Sequence, residues 1–322
     1  MERISSLSEL EGYLAKDDVP YPILIDQFVH ASEAELDLAA DGNHICAPAI
    51  MEHIEKTGVH SGDSMSVLPP QNLSENVQNK MLAYAKAIVQ KLRYKGLMNI
   101  QYIVNGEEVF ILEINPRASR TVPIISKVTG VQLVEIATKI LLGKYSLSKD
   151  EIPDAAKLPF VCVKFPVFSN YALKGLDSKV GPEMKSTGEA ISLAPNFEAA
   201  IRKSFHAGLN DAKGKCVVIG NSPETEELTH YINKAKVVPV FLTQGNMDWN
   251  AQETFALYNP GISEEDKRMR EMGTKNRILT FSEKETLIAL LKSMSAGDWD
   301  VKSIEDWQGI KNNTGEKEVG VL

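Results

Sequence analysis

The segment Met98–Arg120, MNIQYIVNGEEVFILEINPRASR, brings together residue types that are used in phosphoryl transfer, at the end of a predicted strand. They are an acid, an amide and two arginines: Glu113, Asn115, Arg117 and Arg120. The acid and the amide are two residues apart, so a strand presents both on one face. Their hard oxygens suit Mg²⁺, which shares its octahedral shell with substrate phosphates, and the planar fork of arginine matches phosphate or carboxylate oxygens. The alternative is a hairpin tip with solvated charges.

Two strands joined by a turn at Asn105-Gly106 must position these residues. Regular alternation along the second strand predicts two faces. One carries Val109, Ile111, Glu113 and Asn115, and the other carries Phe110, Leu112 and Ile114. Pro116 has no N–H to donate and therefore closes the strand.

Four motifs, taken together, resemble the second, C-terminal ATP-grasp half of the carbamoyl-phosphate synthase large subunit. They are AIMEHIE (Ala49–Glu55), GVHSGDS (Gly58–Ser64), LEINPRASRT (Leu112–Thr121) and GPEMKSTGE (Gly181–Glu189). The likeness runs from about Tyr21 to about Leu209, and more loosely to about Met294. The resemblance implies ATP with Mg²⁺ or Mn²⁺ as cofactors, and the phosphorylation of carbamate to carbamoyl phosphate for arginine or pyrimidine biosynthesis.

The same resemblance assigns roles to individual residues. It implies that Gln101, Glu113 and Asn115 are metal ligands, that Arg117 and Arg120 hold the transferred phosphate and the carbamate, that His60 approaches the nucleotide phosphates with His53 nearby, and that Glu33 takes the ribose hydroxyls. For the two histidines, spacing alone favours surface loop residues, and only the surrounding motif points to a nucleotide.

The metal assignment constrains the register of the two strands. A two-residue turn at Asn105-Gly106 would pair Gln101 with Phe110 and place Gln101 and Glu113 on opposite faces. If both residues ligate one metal, a bulge or a connection of odd length is required.

The family's ATP-grasp unit begins upstream of the matched region, with adenine-binding strands and a glycine-rich loop over the phosphates. The glycines among the first sixty residues are Gly12, Gly42 and Gly58, and none lies in a run that could present successive N–H groups to phosphate. The implied partners are therefore the N-terminal part of the large subunit and a glutaminase small subunit, alongside small-molecule substrates.

Local patterns predict the elements of the first part of the chain. YPILIDQF (Tyr21–Phe28) predicts a buried strand, Glu35–Ala40 and His44–Ile50 an antiparallel ribbon, and Met51–Ser64 a loop with both histidines. Helices are predicted after Ser74 to about Leu92, with Val77, Met81, Tyr84, Ala85 and Ile88 on the buried side, and over Ile124–Leu142. Antiparallel ribbons alternating with helices indicate an α+β fold. The resemblance implies that this fold is the C-terminal lobe of an ATP-grasp unit.

The later part alternates strands and helices, which predicts a parallel sheet and hence a small α/β domain. Its strands are predicted at Lys215–Gly220, Val237–Leu242 and Phe255–Tyr258, and its helices at Pro223–Ala235 and Ser282–Met294. It resembles the methylglyoxal-synthase-like domain of the same subunit in shortened form. The resemblance implies a further strand and helix between Gly245 and Phe255 and a threonine-rich effector loop, but the chain has only NMDWNAQET there, which counts against effector binding. The predicted domains are 1–143 (partial ATP-grasp lobe), 144–211 (connector), 212–298 (α/β) and 299–322 (a polar tail anchored by Trp299 and Trp307).

Composition narrows the function classes further. A formal net charge of −8 argues against a nucleic-acid partner, and no apolar run is long enough to span a membrane. The isolated cysteines Cys46, Cys162 and Cys216 fit buried reduced thiols, and the predicted location is cytoplasmic.

Two other functions remain open. A truncated or split relative that binds no ATP would act as an interaction or regulatory module. A different ATP-grasp ligase would share the Glu-x-Asn-Pro-Arg pattern but not the other three motifs.

Overall fold

The chain builds two sheets that are joined by helices and an extended segment. A computed structural model describes residues 4–16, 18–152, 158–169, 177–205, 216–219, 222, 224–242, 249–296 and 300–309. Within these ranges the first sheet has eight strands in antiparallel pairs, and the second has four parallel strands. This agrees with an α+β part followed by a small α/β part.

The large sheet has the order β6-β5-β1-β3-β4-β7-β8, with β2 beside β1. Its strands are β1 Ser32–Asp41, β2 Ile45–Cys46, β3 Ile50–Lys56, β4 Ser66–Leu68, β5 Lys95–Asn105, β6 Glu108–Asn115, β7 Val161–Val167 and β8 Gly188–Ala194. Strands β7 and β8 come from the predicted connector, yet they pair with β4 and with each other and so extend this sheet.

Five helices accompany the large sheet in the described residues. They are α1 Leu7–Leu14, α2 Glu75–Leu92, α3 Val122–Thr129, α4 Leu133–Leu141 and α5 Phe197–Ser204. Helix α2 begins as predicted, because the Ser74 side chain accepts the Val77 N–H. Its buried residues are Val77, Met81, Ala85 and Val89, whereas Tyr84 is 40% exposed. The sequence also predicts a helix from about Asn196 to Gly208; α5 agrees with the first part of it, and residues 206–208 lie outside the described residues.

The alternation of residues along β1 decides what covers each face of the large sheet. Leu36 and Leu38 point to one face and pack with α2 in a single apolar cluster. The other face is covered over part of its area by α3 and α4, which pack on residues such as Met51 and Cys162. Glu33, Glu35 and Asp37 alternate with the leucines and therefore lie on this second face, beyond the two helices.

The parallel sheet has the order β10-β9-β11-β12 and confirms the predicted parallel pairing. Its elements are β9 Cys216–Ile219, α6 Thr225–Lys234, β10 Val238–Phe241, β11 Thr254–Tyr258, α7 Glu264–Lys275, β12 Leu279–Phe281 and α8 Lys284–Ser293. Helix α7 and strand β12 were not predicted. The helix is mostly charged, with three buried residues, and the strand is three residues long, so neither gives a clear hydrophobic period.

Two predictions for the first part of the chain are wrong. Tyr21–Phe28 is not a buried strand, since it has no strand pairing and Leu24 and Ile25 are 84% and 67% exposed. The strand it precedes, β1, already has β3 and β5 on its two sides, which leaves no edge for it to join. The predicted return strand His44–Ile50 is reduced to the short β2.

The predictions for the cysteines and the tail tryptophans are tested only in part, because some of these residues lie outside the described ranges. Cys46 and Cys162 are buried free thiols, as predicted. Trp307 ends the short helix α9, Ile304–Trp307, and packs edge-on against Phe160 at a ring distance of 6.0 Å. Trp299 and the tail beyond residue 309 lie outside the described residues, as does the Cys216 side chain. No helix in the described ranges is both long and apolar enough to cross a membrane.

An extended segment, residues 177–187, lies between the two sheets and is called the strap below. The Asp177 carboxylate accepts two hydrogen bonds of 2.7 Å from the Arg270 guanidinium of α7. Arg270 is fully buried and also donates to the carbonyl oxygens of Asn259 and Gly261. This paired, bidentate arrangement ties the strap to the α/β part.

We predict that Arg270→Met lowers the free energy of unfolding by about 3–5 kcal/mol, because it leaves the partner carboxylate and two carbonyls without their donor. Arg268→Met is the matched control on the exposed side of the same helix and should change it by less than about 0.5 kcal/mol. Denaturant unfolding followed by circular dichroism measures both. Equal stabilities for the two variants would show that the Arg270 pair does not hold the strap.

Candidate functional site

The part of the second face that α3 and α4 leave uncovered carries three rows of residues across β6, β5 and β1. Strand pairing sets the rows as Phe110–Ile103–Glu33, Glu113–Gln101–Glu35 and Asn115–Asn99–Asp37. Residues that are directly opposite in antiparallel strands share a face, so each row forms one line of side chains. These three rows are called the polar rows below, and the candidate site is built on them.

A bulge in β6 aligns the second row. Gln101 pairs with Glu113, but the next residue, Tyr102, pairs with Ile111, which leaves Leu112 without a partner. This is the bulge that a shared position for Gln101 and Glu113 requires, so that prediction is confirmed.

The same bulge overturns the predicted alternation of β6. Val109 lies opposite Val104 in the apolar cluster under α2, on the face away from Glu113. Phe110, by contrast, shares the face of Glu113. One extra residue reverses the two-residue period, and a sequence pattern alone does not show where the extra residue lies.

The three predicted metal ligands meet on this face. The Asn115 amide nitrogen donates to Glu113 Oε1 at 2.6 Å, and the Gln101 amide nitrogen donates to Ser61 Oγ at 3.1 Å. Both amide nitrogens are therefore engaged, which leaves the amide oxygens and Glu113 Oε2 as the oxygen donors of the set. Such hard donors fit Mg²⁺ or Mn²⁺, with substrate phosphates completing the shell.

A metal site made by protein groups alone is not found in the described ranges, where no group of three or more His, Cys, Asp or Glu side chains is arranged to hold an ion. The predicted set contains one carboxylate and two amides, so it depends on oxygens that a substrate would bring.

The two predicted arginines follow β6 and are exposed. Arg117 donates to the neighbouring Ala118 carbonyl at 3.1 Å and lines an open groove of about 380 Å³ beyond the end of β6. The groove is walled by residues of α4 and the start of β5, including Leu97, Val134 and Leu141. Arg117 therefore lies beside the rows, not over them. Burial raises the pKa of Glu189, and the charge of Arg120 is one of the neighbouring charges that oppose this rise.

His53 is a buried strand residue, contrary to the predicted loop position. It lies in β3 with its Nδ1 3.4 Å from Glu33 Oε2 and its Nε2 3.6 Å from Glu35 Oε1. Alternation in IMEHIEK places it on the polar face, where the two carboxylates of β1 flank it. Glu35 and Asp37 were not predicted as site residues, although both alternate with buried leucines in ELDL and so indicate a polar face.

Burial and neighbouring charges shift the pKa values of His53 and Asp37. Burial lowers the pKa of His53, but Glu33 and Glu35 outweigh it and raise that pKa to about 9. Burial and the charge of Glu35 raise the pKa of Asp37 to about 7, although Thr121, Ser119 and Asn99 donate hydrogen bonds to it. At neutral pH, His53 is therefore a cation and Asp37 is partly protonated.

Residues 59–64, called the His60 loop below, cross this face. The His60 side chain is exposed, and its ring Nδ1 accepts the Gly62 N–H at 3.0 Å. The His60 N–H donates to the strap at Gly181, 2.7 Å away. The Asp63 carboxylate accepts the N–H groups of Lys185 and Ser186 at 2.8 Å each, so the strap fixes both ends of the loop.

We predict that Asp37→Asn flattens the pH dependence of stability. A carboxyl whose pKa rises from 3.8 in the unfolded chain to about 7 on folding binds its proton more tightly when folded. Its stabilising effect is therefore full below pH 4 and is lost as pH rises to 7, at up to about 1.4 kcal/mol per pH unit.

The measurement is the free energy of unfolding of both proteins at pH 5 and pH 8. The wild type should lose more than the variant, by a few kcal/mol in order of magnitude. Parallel pH profiles for the two proteins would contradict the raised pKa of Asp37.

Comparison with known proteins finds that part of the sequence matches a family of ATP-binding domains. Residues 16–149 match the family described as "Carbamoyl-phosphate synthase L chain, ATP binding domain". The arginine-specific carbamoyl phosphate synthase large chain of Geobacillus stearothermophilus is 41% identical over 94% of this chain and 29% of its own length. That of Bacillus subtilis is 41% identical over 91% of this chain and 28% of its own length.

The sequence is thus similar to carbamoyl-phosphate synthase large chains over most of its length, and residues 16–149 match their ATP-binding domain, which confirms the resemblance predicted from the four motifs. It spans less than a third of the length of these relatives. Among solved structures, the biotin carboxylase domain of a single-chain bacterial carboxylase superposes with a TM-score of 0.45 at 15% identity, over 65% of this chain and 57% of that one.

Proposed function

We propose that this chain is the carbamate-phosphorylating part of a carbamoyl-phosphate synthase, with residues 16–149 as the C-terminal lobe of an ATP-grasp unit. The observation that carries the proposal is the alignment of Gln101 opposite Glu113, with Asn115 in the next row, on one face of the sheet. Two relatives are named as arginine-specific, which favours an arginine-linked role. Buried free thiols fit work in the cytosol.

In this proposal the chain acts by positioning and by charge, as phosphoryl transfer requires little covalent chemistry from the protein. When bound, Mg²⁺ or Mn²⁺ would supply charge neutralisation at the phosphates, held by Gln101, Glu113 and Asn115. Arg117 and Arg120 would bind the transferred phosphate and the carbamate with their planar forks. His60 would face the nucleotide phosphates, and the strap would keep its loop in place.

The proposed partner is the polypeptide that corresponds to the remaining length of the relatives, together with a glutaminase small subunit. Large apolar side chains are exposed on β6 and in the segment that precedes β1, as a surface that another lobe covers would be. They include Leu24, Ile25, Phe110 and Leu112. Without that lobe, water surrounds Glu113 and the arginines and weakens their charge interactions several-fold.

For the α/β part we propose a shortened methylglyoxal-synthase-like domain. The parallel order β10-β9-β11-β12 supports it, because β10 and β11 lie on opposite sides of β9 and leave a crevice at their carboxyl ends. The strap reaches that end of the sheet, where the Lys179 ammonium donates to Pro260 O at 2.7 Å and the Val180 N–H donates to Ser282 Oγ at 3.0 Å.

We predict that residues 1–322 by themselves do not turn over ATP, because the proposed nucleotide clamp also needs the family's glycine-rich loop, and no run of glycines in these residues supplies it. Adding the upstream ATP-grasp segment in trans should restore metal-dependent ATP formation from carbamoyl phosphate and ADP. The assay compares the chain, the segment and the mixture, with and without Mg²⁺. Robust activity of the isolated chain would refute this prediction, and an inactive mixture would favour a non-catalytic module.

Glu113→Ala and Arg117→Ala should change chemistry and not folding. Both side chains are exposed, so truncation leaves no core cavity and should alter stability by less than about 0.5 kcal/mol. Turnover of the reconstituted enzyme should fall by about 10²-fold or more, because these groups act where charge develops.

Glu108→Ala is the matched control, an exposed acid on the same strand. It should leave turnover unchanged. A large fall in melting temperature for Glu113→Ala or Arg117→Ala, with normal activity per folded molecule, would assign these residues a structural role instead.

A further inference from the structure

Lys164 is a completely buried lysine in β7, on the face that carries the polar rows. Its side chain is 0% exposed. Strand pairing sets it opposite Ser66 of β4, and Ser66 lies opposite His53 of β3. His53 also lies 3.6 Å from Glu35, so polar residues extend from Glu113 on the edge strand across the sheet to Lys164.

The ammonium group of Lys164 holds the backbone of the His60 loop. Its Nζ donates to the Ser61 carbonyl oxygen at 2.7 Å. Ser61 follows His60 directly, and its hydroxyl accepts the hydrogen bond from the Gln101 amide. One buried cation thus restrains the loop residue that contacts a predicted metal ligand and adjoins the predicted phosphate-binding histidine.

The surrounding charges explain why a lysine can be buried here. Glu189 of β8 lies 4.0 Å from the Nζ, and its own side chain is nearly buried. The charge of Lys164 also lowers the pKa of Glu35, beside the larger effects of burial, which raises it, and of His53, which lowers it. A buried ammonium is costly unless it is paired and hydrogen-bonded, and both conditions are met.

A lysine is not needed at this position to fill space or to complete the sheet. The neighbouring positions of β7, Cys162 and Val163, are buried apolar residues in two different core clusters. A methionine has a similar length and would pack there without the cost of burying a charge. The charge is therefore explained by what the ammonium contacts, which is the Ser61 carbonyl as hydrogen-bond acceptor and the Glu189 carboxylate as ion-pair partner.

We propose that Lys164 is a positioning residue that fixes the His60 loop over the polar rows and thereby sets the affinity for the nucleotide phosphates. The part that concerns the nucleotide rests on the proposed function. The part that concerns the loop does not, and the two are tested separately.

The first test is amide hydrogen exchange on the intact chain, comparing wild type with Lys164→Met. Loss of a charge-assisted hydrogen bond should speed exchange in residues 59–64 by about tenfold or more, while β1 and β5 keep their protection. Lys144→Met, at an exposed lysine, is the control and should change neither. If Lys164→Met does not fold, Lys164→Gln replaces it, since its amide is polar but too short to reach Ser61.

The second test measures ATP dependence after the upstream segment is added in trans. Lys164→Met should raise KM for ATP by about tenfold and keep kcat within about threefold, because the loop binds phosphate in ground and transition states alike. Lys164→Arg keeps the charge and should recover part of the affinity. A residue with only a structural role would lower the amount of active enzyme and leave KM unchanged.

The outcomes separate the two claims. Unchanged exchange in residues 59–64, or faster exchange spread over the whole sheet, overturns the role of Lys164 in the loop. Faster loop exchange with an unchanged KM overturns the link to the nucleotide. If the wild-type mixture shows no ATP turnover at all, the proposed function fails, while the exchange result still decides whether Lys164 holds the loop.

Discussion

The pairing of β1 with strands on both sides is the constraint on which the rest of the molecule depends. Because β5 and β3 flank it, every residue of β1 is committed to one face or the other, and its leucines and acids are sorted between the α2 core and the polar rows. The register of β5 against β1 extends this division to β5, because it places Gln101 opposite Glu35 and Asn99 opposite Asp37. A shift by one residue in any of these strands would exchange core and site.

A buried layer of acids is stable only if cations and donors are built into it. His53 lies between two carboxylates, Lys164 holds a third at longer range, and Asp37 retains a proton near neutral pH. These arrangements stiffen the platform beneath the exposed Glu113. The buried acids are neutralised inside the protein, whereas the exposed Glu113 and the half-buried amides of Asn115 and Gln101 keep oxygens free, and these are the oxygens that we propose bind a cation.

The strap makes the His60 loop part of a larger frame. A continuous set of contacts runs from the buried Arg270 through Asp177 to Gly181 and the Asp63 carboxylate. A second contact joins the α/β part to the large sheet without the strap, because Thr286 of α8 donates to Glu55 of β3 at 2.7 Å. The geometry of the loop therefore depends on both sheets, although no residue of the α/β part lies in the polar rows.

The sequence by itself determined the candidate site residues from the acid, amide and arginine pattern, and the family resemblance from the four motifs. It also determined the helix after Ser74 and the parallel pairing of the later strands. Each is a local signal that needs only a few adjacent residues. Only the tertiary structure decided that His53 is buried, that the bulge at Leu112 moves Val109 away from Glu113, that Tyr21–Phe28 joins no sheet, and that Lys164 reaches the His60 loop. These outcomes depend on which strands lie side by side and in which register, and hydrophobic periodicity within one strand does not encode the identity of its neighbours.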